Sequence, residues 1–334
     1  MKLDPLVLQE YPFQIRDAVQ IQDRVFKIDT DVGPMCLKHS DRNEEKVLFI
    51  YSVLKHLLES GFTKISPPVP TKGGDPFVKM DGEIYFITKW ISGVPCDFHR
   101  NNHLKAVAQT LGEFHLVAKG AHVLPRGKAR AMYQRWPKTF QERTEDLKQF
   151  KNLAQEKINK TDFEKKYLHY SDRIIDQAER ACAHLSASRY EDLAEDAQKQ
   201  GTFTHRDVAD RNFIIARDRQ AYMIDFDYCR YDLRLTDVVR LVERTLKDVS
   251  WKPERADFII NEYNKVAPLG AKEYMVMKAF FQFPQKAWRI SNRYFKKKKR
   301  WQEEGYIKKL KQAVKSTDLK EAFINHFTLE YCRQ

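Results

Sequence analysis

Two short stretches of this chain carry residues whose types and spacing could do chemistry. His205-Arg206-Asp207-Val208-Ala209-Asp210-Arg211-Asn212 reads H-x-D-x-x-x-x-N, and Ile224-Asp225-Phe226-Asp227 follows with another acid at the end of an apolar strand. Transfer of a phosphoryl group from ATP needs this set. One carboxylate orients the attacking hydroxyl, and an amide oxygen with a second carboxylate holds magnesium on the phosphates. Asp207 is the candidate base; Asn212 and Asp225 are the candidate Mg2+ ligands, with Asp227 a second contributor, because magnesium takes one or two protein oxygens and completes its shell with phosphate and water. Turn-capping is the plainer reading of such polar residues, but turn chemistry does not dictate both motifs in this order. His205 is read as a packing residue that hydrogen-bonds its loop, since phosphoryl transfer has no separate need for it.

The elements that must position these groups are legible nearby. Asp207 follows the apparent strand end Thr202-Phe203-Thr204 in a stretch with no helical apolar stripe, which places its carboxylate on a loop. Phe213-Ile214-Ile215 and Tyr222-Met223-Ile224 form a hairpin expected to present Asn212 at one end and Asp225 at the other. Upstream, Arg24 to Thr30 and Met35-Cys36-Leu37-Lys38 flank an Asp31-Val32-Gly33-Pro34 turn, and Lys38 at a strand end suits a lysine that binds the α and β phosphates. A helix then runs to Gly61 from an N-cap region at Ser40-Asp41, with Val47, Ile50, Tyr51, Leu54, Leu57 and Leu58 as its apolar stripe. Its first turn offers Glu44 or Glu45 as partner for Lys38; Glu44 shares a face with Val47, Tyr51 and Leu54. Strands around 77–80 and 83–88 flank an Asp81-Gly82 turn. Beyond Trp90 the pattern becomes helical, over 104–115, 140–153, 163–185 and much of 233–327.

Two departures shape the reading. Gln20-Ile21-Gln22-Asp23-Arg24, where a glycine-rich phosphate loop would sit, contains no glycine. The helix-like Asp237-Val238-Val239-Arg240-Leu241 begins within about ten residues of Asp227, with no A-P-E beyond it, so no long activation loop fits. Both features lead away from protein kinases.

Composition sets the outer bounds. With 334 residues and 42% hydrophobic content the chain can bury a substantial core. Lys and Arg number 59 against 46 Asp and Glu, a net charge of +13 that attracts anionic partners without choosing among them. The five cysteines are scattered with no C-x-x-C pair, which suggests neither a zinc site nor a disulfide framework. Met1-Lys2-Leu3-Asp4-Pro5 does not resemble an export signal, and no apolar window approaches the length of a transmembrane helix. The basic-aromatic run from Arg293 to Trp301 reads as a solvated helix face beside a core stripe of Trp288, Ile290 and Tyr306, so nucleic acid as a partner rests on charge alone.

These motifs resemble the aminoglycoside phosphotransferase and choline kinase superfamily, and within it the spore-coat protein S family of kinase-like proteins. The finer likeness lies in Val25-Phe26-Lys27-Ile28 with Leu37-Lys38, in L-L-E-S-G-F (57–62), Y-F-I-T-K-W-I-S-G (85–93) and L-G-E-F-H (111–115), and in Phe283-Pro284 with Trp288. The resemblance implies an α+β, two-lobed protein-kinase-like fold: residues 1–90 as a small antiparallel-sheet nucleotide lobe with one helix, and 91–334 as a larger, mainly helical catalytic and acceptor lobe. It implies that Thr88-Lys89-Trp90-Ile91 form the hinge whose backbone meets the adenine, and that Asp237 braces the catalytic loop. ATP and Mg2+ follow as cofactors, with a hydroxyl-bearing small molecule or coat glycan as acceptor. It further implies synthesis in the cytoplasm, a final place in the spore coat and other coat proteins as partners. A structural coat protein on a retained kinase fold is the alternative.

Overall fold

The computed structural model describes residues 5–296 and 301–332. In chain order the elements are α1 (Pro5–Gln9), β1 (Ile15–Gln22), β2 (Val25–Thr30), β3 (Gly33–Ser40), α2 (Glu44–Glu59), β4 (Val78–Met80), β5 (Glu83–Lys89), β6 (Gly93–Pro95) and α3 (Asn101–Val117). There follow α4 (Trp136–Glu156), α5 (Asp162–Ser186), α6 (Tyr190–Gln200), β7 (Phe203–Thr204), β8 (Phe213–Ala216), β9 (Ala221–Met223) and β10 (Arg230–Tyr231). The last are α7 (Leu235–Asp248), α8 (Pro253–Asn264), α9 (Ala271–Gln282), α10 (Gln285–Phe295), α11 (Glu303–Lys315) and α12 (Thr317–Tyr331). This is the α+β kinase-like fold, with an N-terminal antiparallel sheet and a larger helical C-terminal region. Among the described residues, no helix is long and apolar enough to cross a membrane.

Two compact units make up the chain. The first comprises Met1–Ala131, Gln200–Asp237 and Glu262–Ala267, and so joins the N-terminal sheet to the segment that carries both sequence motifs. Its five strands run in the order β1-β2-β3-β5-β4, all antiparallel. Strand alternation divides the sheet into two faces. Phe26, Ile28, Met35, Leu37 and Ile87 bury one face against Val7 of α1 and Tyr11. Register puts Val19, Lys27, Cys36 and Thr88 in one row of the other face and Val25, Lys38 and Phe86 in the next.

Local chemistry explains the element ends. Asp81 and Gly82 both take positive φ (50° and 80°) to close the β4–β5 hairpin, a turn open to few other residue pairs. The N-cap of α2 is Asn43, whose side chain accepts from the Lys46 amide at 3.0 Å; Ser40, expected near the cap, instead ends β3. A three-stranded sheet, β6-β8-β9, carries the second motif. Gly93 of β6 is needed there, because a Cβ would lie 2.3 Å from the Ile215 carbonyl oxygen.

The second unit comprises Met132–Lys199, Val238–Asn261 and Pro268–Gln334. It is helical, and the sequence pattern had left its α6 unassigned. Trp136, Phe140, Phe280 and Phe283 pack ring to ring in its core, as do Phe163, Tyr294 and Tyr306. A full capping box starts α5: Thr161 Oγ1 accepts from the Glu164 amide, and the Glu164 carboxylate accepts from the Thr161 amide. Of the expected core stripe, Ile290 and Tyr306 are buried, while Trp288 is half-buried and donates from Nε1 to Asp146; Tyr294, expected on the solvated face, is buried as well. Lys297, Lys298, Lys299 and Arg300 of the basic run lie outside the described residues.

Candidate active site

All of the candidate catalytic, nucleotide-binding and metal-binding residues singled out by sequence fall in the first unit. The H-x-D loop lies between β7 and β8 and is held from within. His205 is fully buried; its Nδ1 accepts from the Asp207 amide (3.3 Å), which leaves Nε2 to donate to the Ile224 carbonyl (2.9 Å). The imidazole therefore ties one motif to the other. Asp237, also fully buried, accepts from the backbone amides of His205 (Oδ2, 2.7 Å) and Arg206 (Oδ1, 2.8 Å), and its Oδ2 lies 3.4 Å from Nε2 of His115. Arg206 sits at φ 75°, a left-handed conformation that an arginine adopts only under constraint, and the Asp237 contact supplies it. Burial works against the Asp237 charge, but His115, His205 and the Arg206 amide outweigh it and hold the carboxyl below the usual range.

Asn212 and Asp225 come together at the same, open end of the β8–β9 hairpin. The sequence reading had put them at opposite ends, but the strands are antiparallel, with Phe213 opposite Met223 and the Ile224 amide donating to the Asn212 carbonyl at 3.0 Å. Nδ2 of Asn212 donates to Asp207 twice, to its carbonyl (2.7 Å) and to Oδ2 (2.9 Å). Only the nitrogen can make these bonds, so the amide oxygen is the atom left for a cation. Asp225 has left-handed backbone (φ 65°), which breaks the strand and turns the chain into the Phe226–Tyr228 3-10 turn.

Lys38 meets Asp225: Nζ lies 2.9 Å from Oδ1. Burial disfavours both charges, yet each stabilises the other, so the ammonium is held above the usual lysine range and the Asp225 carboxyl below its own. Asp227 behaves differently. Burial and the neighbouring Asp225 charge raise its carboxyl despite the attraction of Lys38.

The expected helix partner of Lys38 is a correction. Glu44 pairs with Lys79 (3.2 Å) and Arg126 (2.7 Å), and Glu45 pairs with Lys128 (3.0 Å). The helical stripe located α2 but not its rotation about Lys38, and Asn43 capping sends both glutamates to other cations. Of the hinge segment, Thr88 and Lys89 end β5, and Trp90 and Ile91 follow it. The Trp90 amide donates to Pro34 and the Lys89 carbonyl accepts from Ser66, while Lys27 Nζ sits 5.2 Å above the Trp90 ring.

The donor set suits a cation that arrives with phosphates. Among the described residues no group of three or more His, Cys, Asp or Glu could hold a metal ion on its own. Two carboxylates and one amide oxygen are what magnesium uses when phosphate and water supply the rest.

A family model described as "Spore coat putative kinase YutH" matches residues 5–327. The chain belongs to this family. It is also similar to spore coat protein S of Bacillus subtilis (strain 168), 25% identical over 330 residues that span 96% of this chain and 92% of that protein. Among solved structures, an aminoglycoside phosphotransferase from Alicyclobacillus acidocaldarius has a TM-score of 0.85 at 23% identity, covering 99% of this chain and 97% of its own. Spectinomycin phosphotransferase APH(9)-Ia, solved with ADP and spectinomycin, gives 0.65 at 16% identity over 95% and 97%. At these identities the structures establish the fold, and the family model establishes the kinship.

Sequence reasoning passed over several residues in this family member's site. Arg211 Nη2 lies 2.7 Å from Asp207 Oδ2; its place four residues after Asp207 in the one-turn loop was the available signal. His115 had appeared only as part of L-G-E-F-H, yet it contacts Asp237 and pairs through Nδ1 with the Tyr263 hydroxyl at 2.8 Å. Arg42 and Lys46 near the start of α2 gave no signal, because nothing local marks which face of a helix meets a distant loop.

Proposed function

We propose that this spore-coat-family protein is an ATP-dependent phosphotransferase with an alcohol-group acceptor, a small molecule or a coat glycan. The observation that carries this reading is that Lys38 pairs with Asp225 and Asn212 with Asp207, and that His205 and the Ile224 backbone tie the two pairs together. In this scheme Asp207 receives the acceptor's hydroxyl proton as the acceptor oxygen bonds to the γ-phosphorus and the bond to the β-phosphate oxygen breaks, releasing ADP; the proton then passes to water. Asn212, Asp225 and Asp227 would hold Mg2+, which would supply positive charge against the phosphates. Lys38 anchors the α and β phosphates. The backbone of Thr88 to Ile91 meets the adenine. On this reading residues 1–90 serve the nucleotide and 91–334 the chemistry and the acceptor, and Asp210 and Asp227 near the base favour a cationic or hydroxyl-rich acceptor. Synthesis in the cytoplasm followed by residence in the coat, among other coat proteins, follows from the family.

Single-turnover transfer from labelled ATP to coat polysaccharides, sugars and amino alcohols tests the scheme. Asp207→Asn is expected to lower the rate by about 10²–10⁴-fold, the usual contribution of a positioned base; an unchanged rate would sink it. One observation favours a second reading, a structural coat protein on a retained kinase fold. The β1–β2 turn consists of Asp23 and Arg24 alone, with Gln22 opposite Val25, and offers no glycine backbone to phosphates. Nucleotide-induced thermal stabilisation that Asp225→Ala abolishes would argue against a purely structural role.

A further inference from the structure

The first unit holds a second cation–carboxylate pair beside the one formed by Lys38 and Asp225. The Arg42 guanidinium lies 3.9 Å from Asp227 Oδ2 and rests 4.8 Å from the centre of the Tyr228 ring. At 3.9 Å the two are in charge contact rather than hydrogen-bonded. Nε of Arg42 is buried with no hydrogen-bond acceptor, although the Asp41 carboxylate lies 3.3 Å away. A buried guanidinium donor without a hydrogen-bond acceptor is costly, so Nε is available to an anion while the Tyr228 side chain engages the rest of the group. Lys46, one turn along, donates to the Cys229 carbonyl and lies 4.8 Å from the centre of the Phe49 ring, and burial lowers its affinity for a proton. It fastens the start of α2 to the segment just after Asp227.

Asp41 shares the Arg42 guanidinium with Asp227, so Lys38 and Arg42 together with Asp41, Asp225 and Asp227 carry one net negative charge. Asp225 and Asp227 would hold a metal ion that arrives with a nucleotide, and Lys38 and Arg42, given up by those carboxylates, would then be available to its phosphates. The neighbouring elements show what such a residue would replace, since the β1–β2 turn carries no glycine and no α2 glutamate reaches Lys38. Arginine suits the task because its fixed fork matches phosphate oxygens two at a time.

We propose that Arg42 is a phosphate-binding residue of the nucleotide site, held between Asp41 and Asp227 until a magnesium nucleotide takes the Asp227 carboxylate. This rests on the phosphotransferase reading above. Calorimetric titration of the full chain with Mg·ATP, Mg·ADP and AMP provides the test. Arg42→Ala should weaken Mg·ATP and Mg·ADP by about 10–100-fold, as loss of a hydrogen bond to a charged group does, with AMP unchanged within about twofold. Arg42→Lys should recover part of the loss. Asp227→Asn should weaken Mg·ATP but strengthen ATP measured in EDTA, because Asp41 alone then holds the guanidinium, and this gain should vanish when Arg42→Ala is added. Those EDTA measurements keep the proposal open to refutation even where Arg42→Ala folds poorly. Equal Mg·ATP affinity in wild type and Arg42→Ala, or equal losses for AMP and ATP, overturns the role of Arg42 alone. A wild type that binds no Mg·ATP overturns the phosphotransferase reading with it.

Discussion

Asp237 illustrates how much one buried carboxylate can organise. It touches no reacting atom in the proposed scheme, yet it takes the amides of His205 and Arg206 and so sets the backbone on which Asp207 is mounted. Asp237→Ala leaves two buried N–H groups without an acceptor, each costing about 1–3 kcal/mol, so urea unfolding should show a loss of about 3–5 kcal/mol. The carboxyl is held below its ordinary range, so its charge stabilises the fold above the unfolded value of about 3.9 and that stabilisation disappears as pH falls through the folded value. The deficit of the variant should therefore be constant near neutrality and shrink below about pH 4. Arg211 is a contrast, for its own side chain is largely open to solvent although Asp207 is buried, and solvent screening of the guanidinium limits the pair to about 1 kcal/mol. Its charge was visible in the sequence; its contact with Asp207 was not, because a one-turn loop can fold in more than one way.

At the scale of elements, β6 shows how a strand can serve a site to which it donates no side chain. It pairs with β8 and so backs the hairpin that brings Asn212 and Asp225 to one end. Gly93 allows the approach, and Gly93→Ala forces its Cβ against the Ile215 carbonyl. The expected cost is about 1–3 kcal/mol by denaturant midpoint, within the range for overpacking a tight contact. Wild-type stability in the variant would show that β6 can shift freely. The W-I-S-G stretch was legible as a motif, and β4, β5 and α2 were legible from their turns and stripe. What periodicity left out was the direction each element faces: Glu44 and Glu45 sit on the foreseen helix and meet Lys79, Arg126 and Lys128 instead of Lys38.

For the whole molecule, every residue of the candidate site belongs to the unit that joins the N-terminal sheet to 200–237. A nucleotide bound there should stabilise that unit through mass action, by about 2.7 kcal/mol at a hundredfold excess over Kd. Hydrogen exchange should accordingly slow in β1 to β3 and in 203–231 on adding Mg·ATP, with little change in α9 to α12. Uniform protection across both units, or none, would contradict a site confined to the first. The net charge of +13 belongs to this scale as well, since it favours anionic ligands at long range while leaving their identity to the site.

The amino-acid sequence by itself determined the chemistry on offer. A catalytic carboxylate, an amide and further acids at set intervals are local patterns, and so are the turns and stripes that place them on loops, strands and helices. Tertiary structure alone decided which groups meet. Lys38 finds Asp225 rather than a glutamate six residues away, Asn212 and Asp225 share one end of their hairpin, and Arg42 faces Asp227. The physical reason is that an ion pair or hydrogen bond depends on a few tenths of an ångström and on the rotation of whole elements. Those are set by packing between segments far apart in the chain, and no short window of residues carries them.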